Sequence, residues 1–140
     1  MAGSAFVDTN VLLYAFDDSE PLKQQRARDV ITDPDLRLVV STQVLNEFYV
    51  NATRKIEPPL TLEEARLATA RFLDLPTVVT DAALIRSALE LHAHHPISYW
   101  DALIVAAAAT ARCDRILTED LADGDTIAGV RIENPFRGIG

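Results

Sequence analysis

Apolar residues recur along this chain in two rhythms. Short runs rich in β-branched residues, Ala5-Phe6-Val7, Leu38-Val39-Val40, Thr77-Val78-Val79, Arg115-Ile116-Leu117-Thr118 and Val130-Arg131-Ile132, have the length and make-up of buried strands. Between them lie longer stretches with helical punctuation. Thr9-Asn10 leads into the apolar turn Val11-Leu12-Leu13-Tyr14-Ala15-Phe16, a strand-to-helix corner. Asp17-Asp18-Ser19-Glu20-Pro21 offers caps and a first-turn proline for a helix that Thr32-Asp33-Pro34 closes. Ser41-Thr42 caps a helix running to about Lys55. On that helix Val44, Leu45, Phe48 and Ala52 form the apolar stripe, with Glu47 at its flank and Asn51 one turn on. Thr61-Leu62-Glu63-Glu64 is a capping box opening a helix to about Leu73, and a further helix spans about Asp81 to His94. Ser98-Tyr99-Trp100-Asp101 again has capping-box form, ahead of an Ala- and Ile-rich helix with no polar face.

Strands that alternate with helices predict an α/β fold, because parallel neighbours need crossover connections. The expectation is a three-layer α/β/α arrangement with a mainly parallel sheet of four to five strands. No internal repeat, low-complexity tract or linker interrupts it, so residues 1–140 read as one domain. In such folds ligands bind outside the carboxyl ends of the strands.

Composition narrows the class. With 49% hydrophobic and 24% charged residues in 140, the chain has the balance of a soluble domain with an adequate core. No apolar run reaches the roughly 18 residues of a spanning helix, and Met1-Ala2-Gly3-Ser4 lacks the basic-then-apolar order of a signal peptide. A cytoplasmic protein with no membrane partner is expected. Cys113 stands alone, without a disulfide or zinc partner, and reads as a packed residue with no redox task. The formal net charge of −8 disfavours a protein that grips nucleic acid mainly by its phosphates, although part of that excess is acidic residues that a bound cation would offset.

Those acids are the candidate chemistry. Asp8 follows the first strand, and Asp120 follows Arg115-Ile116-Leu117-Thr118, while Glu47 and Asp101 lie in the first two turns of helices that can reach the same edge. Each has an ordinary explanation taken singly: Asp8 as a turn or cap residue, Asp101 as the end of a capping box, Glu47 as a solvated helix residue. Asp120 competes with Glu119, Asp123 and Asp125 beside Gly124. Turns and caps do not require four separated segments to send acids to one sheet edge, however. Carboxylates gathered there stay ionised together only around positive charge, which points to a divalent cation and to hydrolysis at phosphorus. His92, His94 and His95 fit a helix C-terminus better than a metal site. No Gly-rich phosphate loop, Gly-x-Ser-x-Gly elbow or cysteine nucleophile setting is present.

In this order the residues resemble the PIN-domain ribonucleases, and within them the VapC-type toxins of bacterial toxin–antitoxin pairs. The resemblance runs from about Ala5 to Phe136 and is most specific in Phe6-Val7-Asp8-Thr9-Asn10-Val11-Leu12-Leu13-Tyr14 and in Ser98 to Ala108, with a shorter match at Leu117-Thr118-Glu119-Asp120-Leu121. It implies a metal-dependent endoribonuclease using Mg²⁺, with Mn²⁺ as a substitute, a homodimer, and an antitoxin protein as partner. Carried onto this chain, it makes Asp8 and Asp101 the metal-holding aspartates and Glu47 and Asp120 the third and fourth site acids. It further implies that Thr118 supports the acidic cluster, with Asn10 and Ser98 standing behind it. Many relatives follow the fourth acid with another acid and Phe, whereas Leu121-Ala122-Asp123-Gly124 stands here, which leaves the fourth acid open among its neighbours.

Three other readings compete. A phosphoryl-accepting switch domain built on Asp81 lacks a Lys at a later strand end, since the only lysines are Lys23 and Lys55. A dehalogenase-type phosphatase needs Asp-x-Asp-x-Thr, and Asp8-Thr9-Asn10 lacks the second Asp. The last is a PIN-like module that binds RNA or protein without turnover, against which the full set of four acids argues.

Overall fold

The computed structural model describes residues 3–139. Its strands are β1 (Gly3–Val7), β2 (Leu36–Ser41), β3 (Thr77–Val78), β4 (Arg115–Leu117), β5 (Thr126–Ile127) and β6 (Val130–Glu133). They form one sheet in the order β3-β2-β1-β4-β6-β5, parallel throughout except where β5 turns back on β6. The sheet therefore carries one strand more than the four to five expected. The extra strand is a two-residue hairpin arm: Ile127 pairs with Val130 across Ala128 and Gly129, both with positive φ (53° and 79°). A two-residue hairpin loop normally announces itself as Asn-Gly or Asp-Gly, so an alanine in the first position hides it.

Helices α1 (Thr9–Tyr14) and α2 (Pro21–Ile31) connect β1 to β2. Helices α3 (Thr42–Ala52) and α4 (Leu62–Phe72) connect β2 to β3, and α5 (Ala82–His94) and α6 (Tyr99–Thr110) carry the chain back to β4. The first two connections step outward from β1 and the third steps back past it. Right-handed crossovers running in opposite directions lie on opposite faces, which gives the layered architecture. Packing agrees: α1, α2, α3 and α4 contact one another in series, while α5 packs on α6 and α6 on β1, β2, β4 and β6.

Local chemistry sets the helix starts. Asp8, Ser41, Thr61, Asp81 and Ser98 each accept a backbone N–H with their side chains at an N-cap, and Thr61 with Glu64 completes the capping box. Helix α3 stops at Ala52, a turn before the expected Lys55, and Lys55 N–H folds back to the Asn51 carbonyl at 2.7 Å.

The strands bury both faces, as a covered parallel sheet requires: Phe6, Val7, Val39, Val40 and Ile116 are wholly enclosed. Helix α6 is buried from Ala102 to Ala108, where small side chains let it lie close on the sheet. Phe48 is the hinge of the other layer, edge-on to Phe72 at 5.1 Å and tilted against Phe16 at 5.6 Å. Among the described residues no helix is long and apolar enough to cross a membrane.

This topology decides where a site can form. Strand β1 has β2 on one side and β4 on the other, so the chain's direction across the sheet reverses there and a crevice opens at their carboxyl ends. Asp8 follows β1 directly, its N–H bonding Leu117 O at 3.0 Å and so continuing the ladder to the crevice.

Candidate active site

Asp8 is the most enclosed of the four acids, 6% exposed. As the N-cap of α1 it receives the Thr9 N–H on Oδ1 at 2.7 Å, and Oδ2 receives the Thr118 hydroxyl at 2.7 Å. Burial pushes its carboxyl from 3.8 up to about 6; the bonds from Thr118 and Thr9 oppose the rise, and the charges of Asp120 and Glu47 add to it.

Thr118 is fully buried at the end of β4 and holds two acids at once. Its hydroxyl donates to Asp8 and accepts the Asp120 N–H at 3.1 Å. Asn10 ties the same pair from the first turn of α1, its Nδ2 donating to Asp120 Oδ2 at 3.0 Å and lying 3.5 Å from Asp8 Oδ2. The amide nitrogen must face the carboxylates, since the reverse orientation would set its oxygen against theirs.

Glu47 sits on the second turn of α3, half-buried, and accepts the Thr9 hydroxyl at 3.0 Å. Asp101 occupies the first turn of α6, where its N–H meets the Ser98 hydroxyl at 3.0 Å and the helix N-terminus favours negative charge. Both carboxyls are raised above their ordinary range by burial first. Thr9 restrains the rise at Glu47 and Ser98 at Asp101, while the charge of Asp120 pushes both upward.

Asp8, Glu47, Asp101 and Asp120 all line one cavity of about 280 Å³, in company with Asn10 and Lys55. Two of the competing acids after β4 are engaged elsewhere. Glu119 takes the Tyr14 hydroxyl at 2.6 Å and Lys23 at 3.2 Å, with the ammonium lying over the Tyr14 ring at 4.8 Å. Asp123 takes the Asn134 N–H at 2.8 Å and Arg137 at 3.2 Å. Of this group only Asp120 turns into the cavity, and the clasp on Glu119 fixes the segment that carries it.

Sequence reasoning overlooked three participants. Thr9 positions Glu47 through its hydroxyl, and a Thr directly after Asp8 was the available sign. Lys55 lines the acidic cavity, and the spacing Glu47, Asn51, Lys55 along one face was the hint. Lys23 reaches its place only through tertiary folding. Asp81 is occupied as the cap of α5, accepting Leu84 N–H at 2.9 Å.

The donor set suits a hard cation. Every candidate ligand atom is an oxygen, Lys55 is the single basic residue lining the cavity among the described residues, and Asn10 Oδ1 is buried without a hydrogen-bond partner. Among the described residues no three His, Cys, Asp or Glu side chains gather tightly enough to hold an ion by themselves, His92, His94 and His95 included. Such an open arrangement suits a divalent cation that keeps several of its waters better than it suits a closed structural site.

Comparison with known proteins gives a consistent picture. The PIN domain family model matches residues 5–122. The structure resembles VapC20 of Mycobacterium tuberculosis, a sarcin-ricin loop cleaving toxin, at 20% identity and a TM-score of 0.66, covering 83% of this chain and 91% of that one. A toxin–antitoxin complex from Klebsiella pneumoniae matches at 18% identity and a TM-score of 0.71, over 94% of this chain and 97% of the other. VapBC2 from Rickettsia felis, bound to a DNA fragment from its promoter, matches at 18% identity and 0.65, over 94% and 98%. No curated protein matches the chain.

Proposed function

This chain belongs to the PIN domain family, and from that premise we propose that it is a metal-dependent endoribonuclease, the toxin of a toxin–antitoxin pair. The observation that carries the reading is the meeting of Asp8, Glu47, Asp101 and Asp120 in one oxygen-lined cavity at the carboxyl edge of β1 and β4. Asp8 and Asp101 would hold Mg²⁺ or Mn²⁺. Such an ion would supply Lewis acidity toward phosphoryl oxygens and would lower the pKa of water in the cavity.

The remaining work belongs to the protein. Thr118 and Asn10 keep Asp8 and Asp120 at fixed separation, so the carboxylates need little rearrangement when substrate arrives. Thr9 fixes Glu47 as a proton acceptor at the cavity wall. Lys55 offers the phosphate backbone one cationic contact in an otherwise acidic surface.

The toxin assignment draws on the relatives, two of which are complexes of a toxin with its antitoxin. An antitoxin partner, a homodimer, RNA as substrate and a cytoplasmic setting belong to the same proposal. The test is incubation of purified protein with labelled RNA in Mg²⁺, Mn²⁺ and EDTA, alongside Asp8→Asn. Cleavage that needs the ion and disappears in the variant supports the reading. Full cleavage by metal-free protein, with the variant equally active, overturns it, and no cleavage under any of these conditions leaves a binding module in its place.

A further inference from the structure

We infer that the cavity adjoining the acidic one is a nucleobase subsite, in which the Trp100 indole stacks on an unpaired base of the strand whose phosphate lies among the carboxylates. The inference rests on the nuclease reading above and adds what that reading lacks, a source of affinity for RNA.

The two cavities are continuous. The neighbour, about 600 Å³, lies between the first turns of α3 and α6 and shares Gln43, Glu47 and Trp100 with the acidic one. Trp100 stands one residue before Asp101 and is 64% exposed, although it is the chain's one tryptophan and its largest apolar side chain. Tyr99 braces it edge-on at 5.6 Å, and His92 braces Tyr99 in the same way at 6.1 Å. An indole held in position yet left in water has unsatisfied apolar area that a flat partner would cover.

The rest of the lining selects the partner's chemistry. Leu103 is buried and apolar, and Thr42 and Thr80 bond each other at 3.2 Å. The Gln43 and Asn46 amides each bring a donor and an acceptor, and Gln43 spends only a long 3.4 Å contact on the Trp100 carbonyl. Beyond Glu47, which belongs to both cavities, no charged side chain lines this one among the described residues. A neutral slot with one aromatic wall and amide groups suits a heteroaromatic base and offers nothing to a phosphate.

Charge makes the slot necessary. A chain of net charge −8 with a single lysine in its acidic cavity gains little from counterion release, so its hold on RNA must come from the bases. Stacking supplies that hold without sequence reading, and amides at the slot's mouth can bias which base enters.

Because the chain has one tryptophan, its emission reports this site alone. The experiment titrates the full chain carrying Asp8→Asn, in Mg²⁺, with a single-stranded oligoribonucleotide, with the same backbone lacking bases, and with a duplex. Saturable quenching by the single strand alone, nearly independent of salt, is expected. In cleavage assays Trp100→Ala should raise KM about tenfold and leave kcat within a few-fold, with Trp100→Phe close to the parent. Equal quenching by the abasic strand, or an unchanged KM for Trp100→Ala in an active enzyme, overturns the inference and leaves the nuclease reading standing. Emission that shifts on dilution of the free protein also overturns it, since the indole then belongs to an interface between copies. Base-dependent quenching in a protein that cleaves no RNA instead sinks the nuclease reading and keeps the subsite.

Discussion

Asp8→Asn should make the metal-free protein more stable above neutral pH and less stable in acid, and the structure sets the size of the effect. The Asp8 carboxyl titrates at about 6 in the fold against an ordinary 3.8, a gap worth about 3 kcal/mol. A raised carboxyl pKa favours the fold fully below pH 3.8, and that advantage is lost as pH climbs through about 6. Above that point the folded protein holds an anion that burial and two neighbouring acids disfavour. Asparagine removes the charge but substitutes a donor for one accepting oxygen. It keeps the Thr9 bond, can take a lone pair of Thr118, and meets Asn10 donor to donor, at a cost of about 1 kcal/mol. The net gain is about 1–2 kcal/mol at mildly alkaline pH, turning to a small loss in acid. Urea unfolding in EDTA at low ionic strength, followed by circular dichroism across this pH range, measures it. Adding Mn²⁺ should then reverse the order, because only the parent gains ligand-linked stability. A variant less stable than its parent at every pH would refute the reasoning, showing that Thr118 and Thr9 stabilise the buried anion fully.

Three further outcomes are expected. Thr118→Val keeps the volume but strips Asp8 of its donor and Asp120 N–H of its acceptor; we predict a loss of about 1–3 kcal/mol in urea unfolding and a larger loss of Mn²⁺ affinity by calorimetry. Glu119→Gln should loosen the Lys23 and Tyr14 clasp and lower kcat several-fold while leaving chemical stability within about 1 kcal/mol, and equal kcat would show that Asp120 needs no such support. Phe48→Ala, at a wholly buried ring between Phe16 and Phe72, should cost about 3–5 kcal/mol in thermal or urea unfolding.

Much of this was readable in the chain because it is local. Each helix start is written in its cap, from Ser41 to Ser98, and the strand-to-helix corner at Asp8 places the first acid without reference to anything distant. The hairpin strand β5 was not readable, because Ala128 takes a left-handed conformation that only its neighbours enforce. The identity of the fourth acid was likewise undecidable locally: Glu119 and Asp120 are adjacent carboxylates, and Lys23, almost a hundred positions away, determines which of them is diverted. Lys55 and Trp100 reach the cavity rims only when α3 and α6 come together.

The order in which the strands are laid down has a consequence for synthesis. Strand β1 is made first, yet its partner β4 on the crevice side is nearly the last part of the sheet to be made. Until residues 115–118 leave the ribosome, β1 is an open edge, Asp8 lacks the Thr118 hydroxyl, and Asn10 lacks Asp120 to hold. A nascent or stalled chain thus carries its first three acids without assembling them around the crevice. The four-acid site is completed only when the final strands are in hand, however early its first member is made.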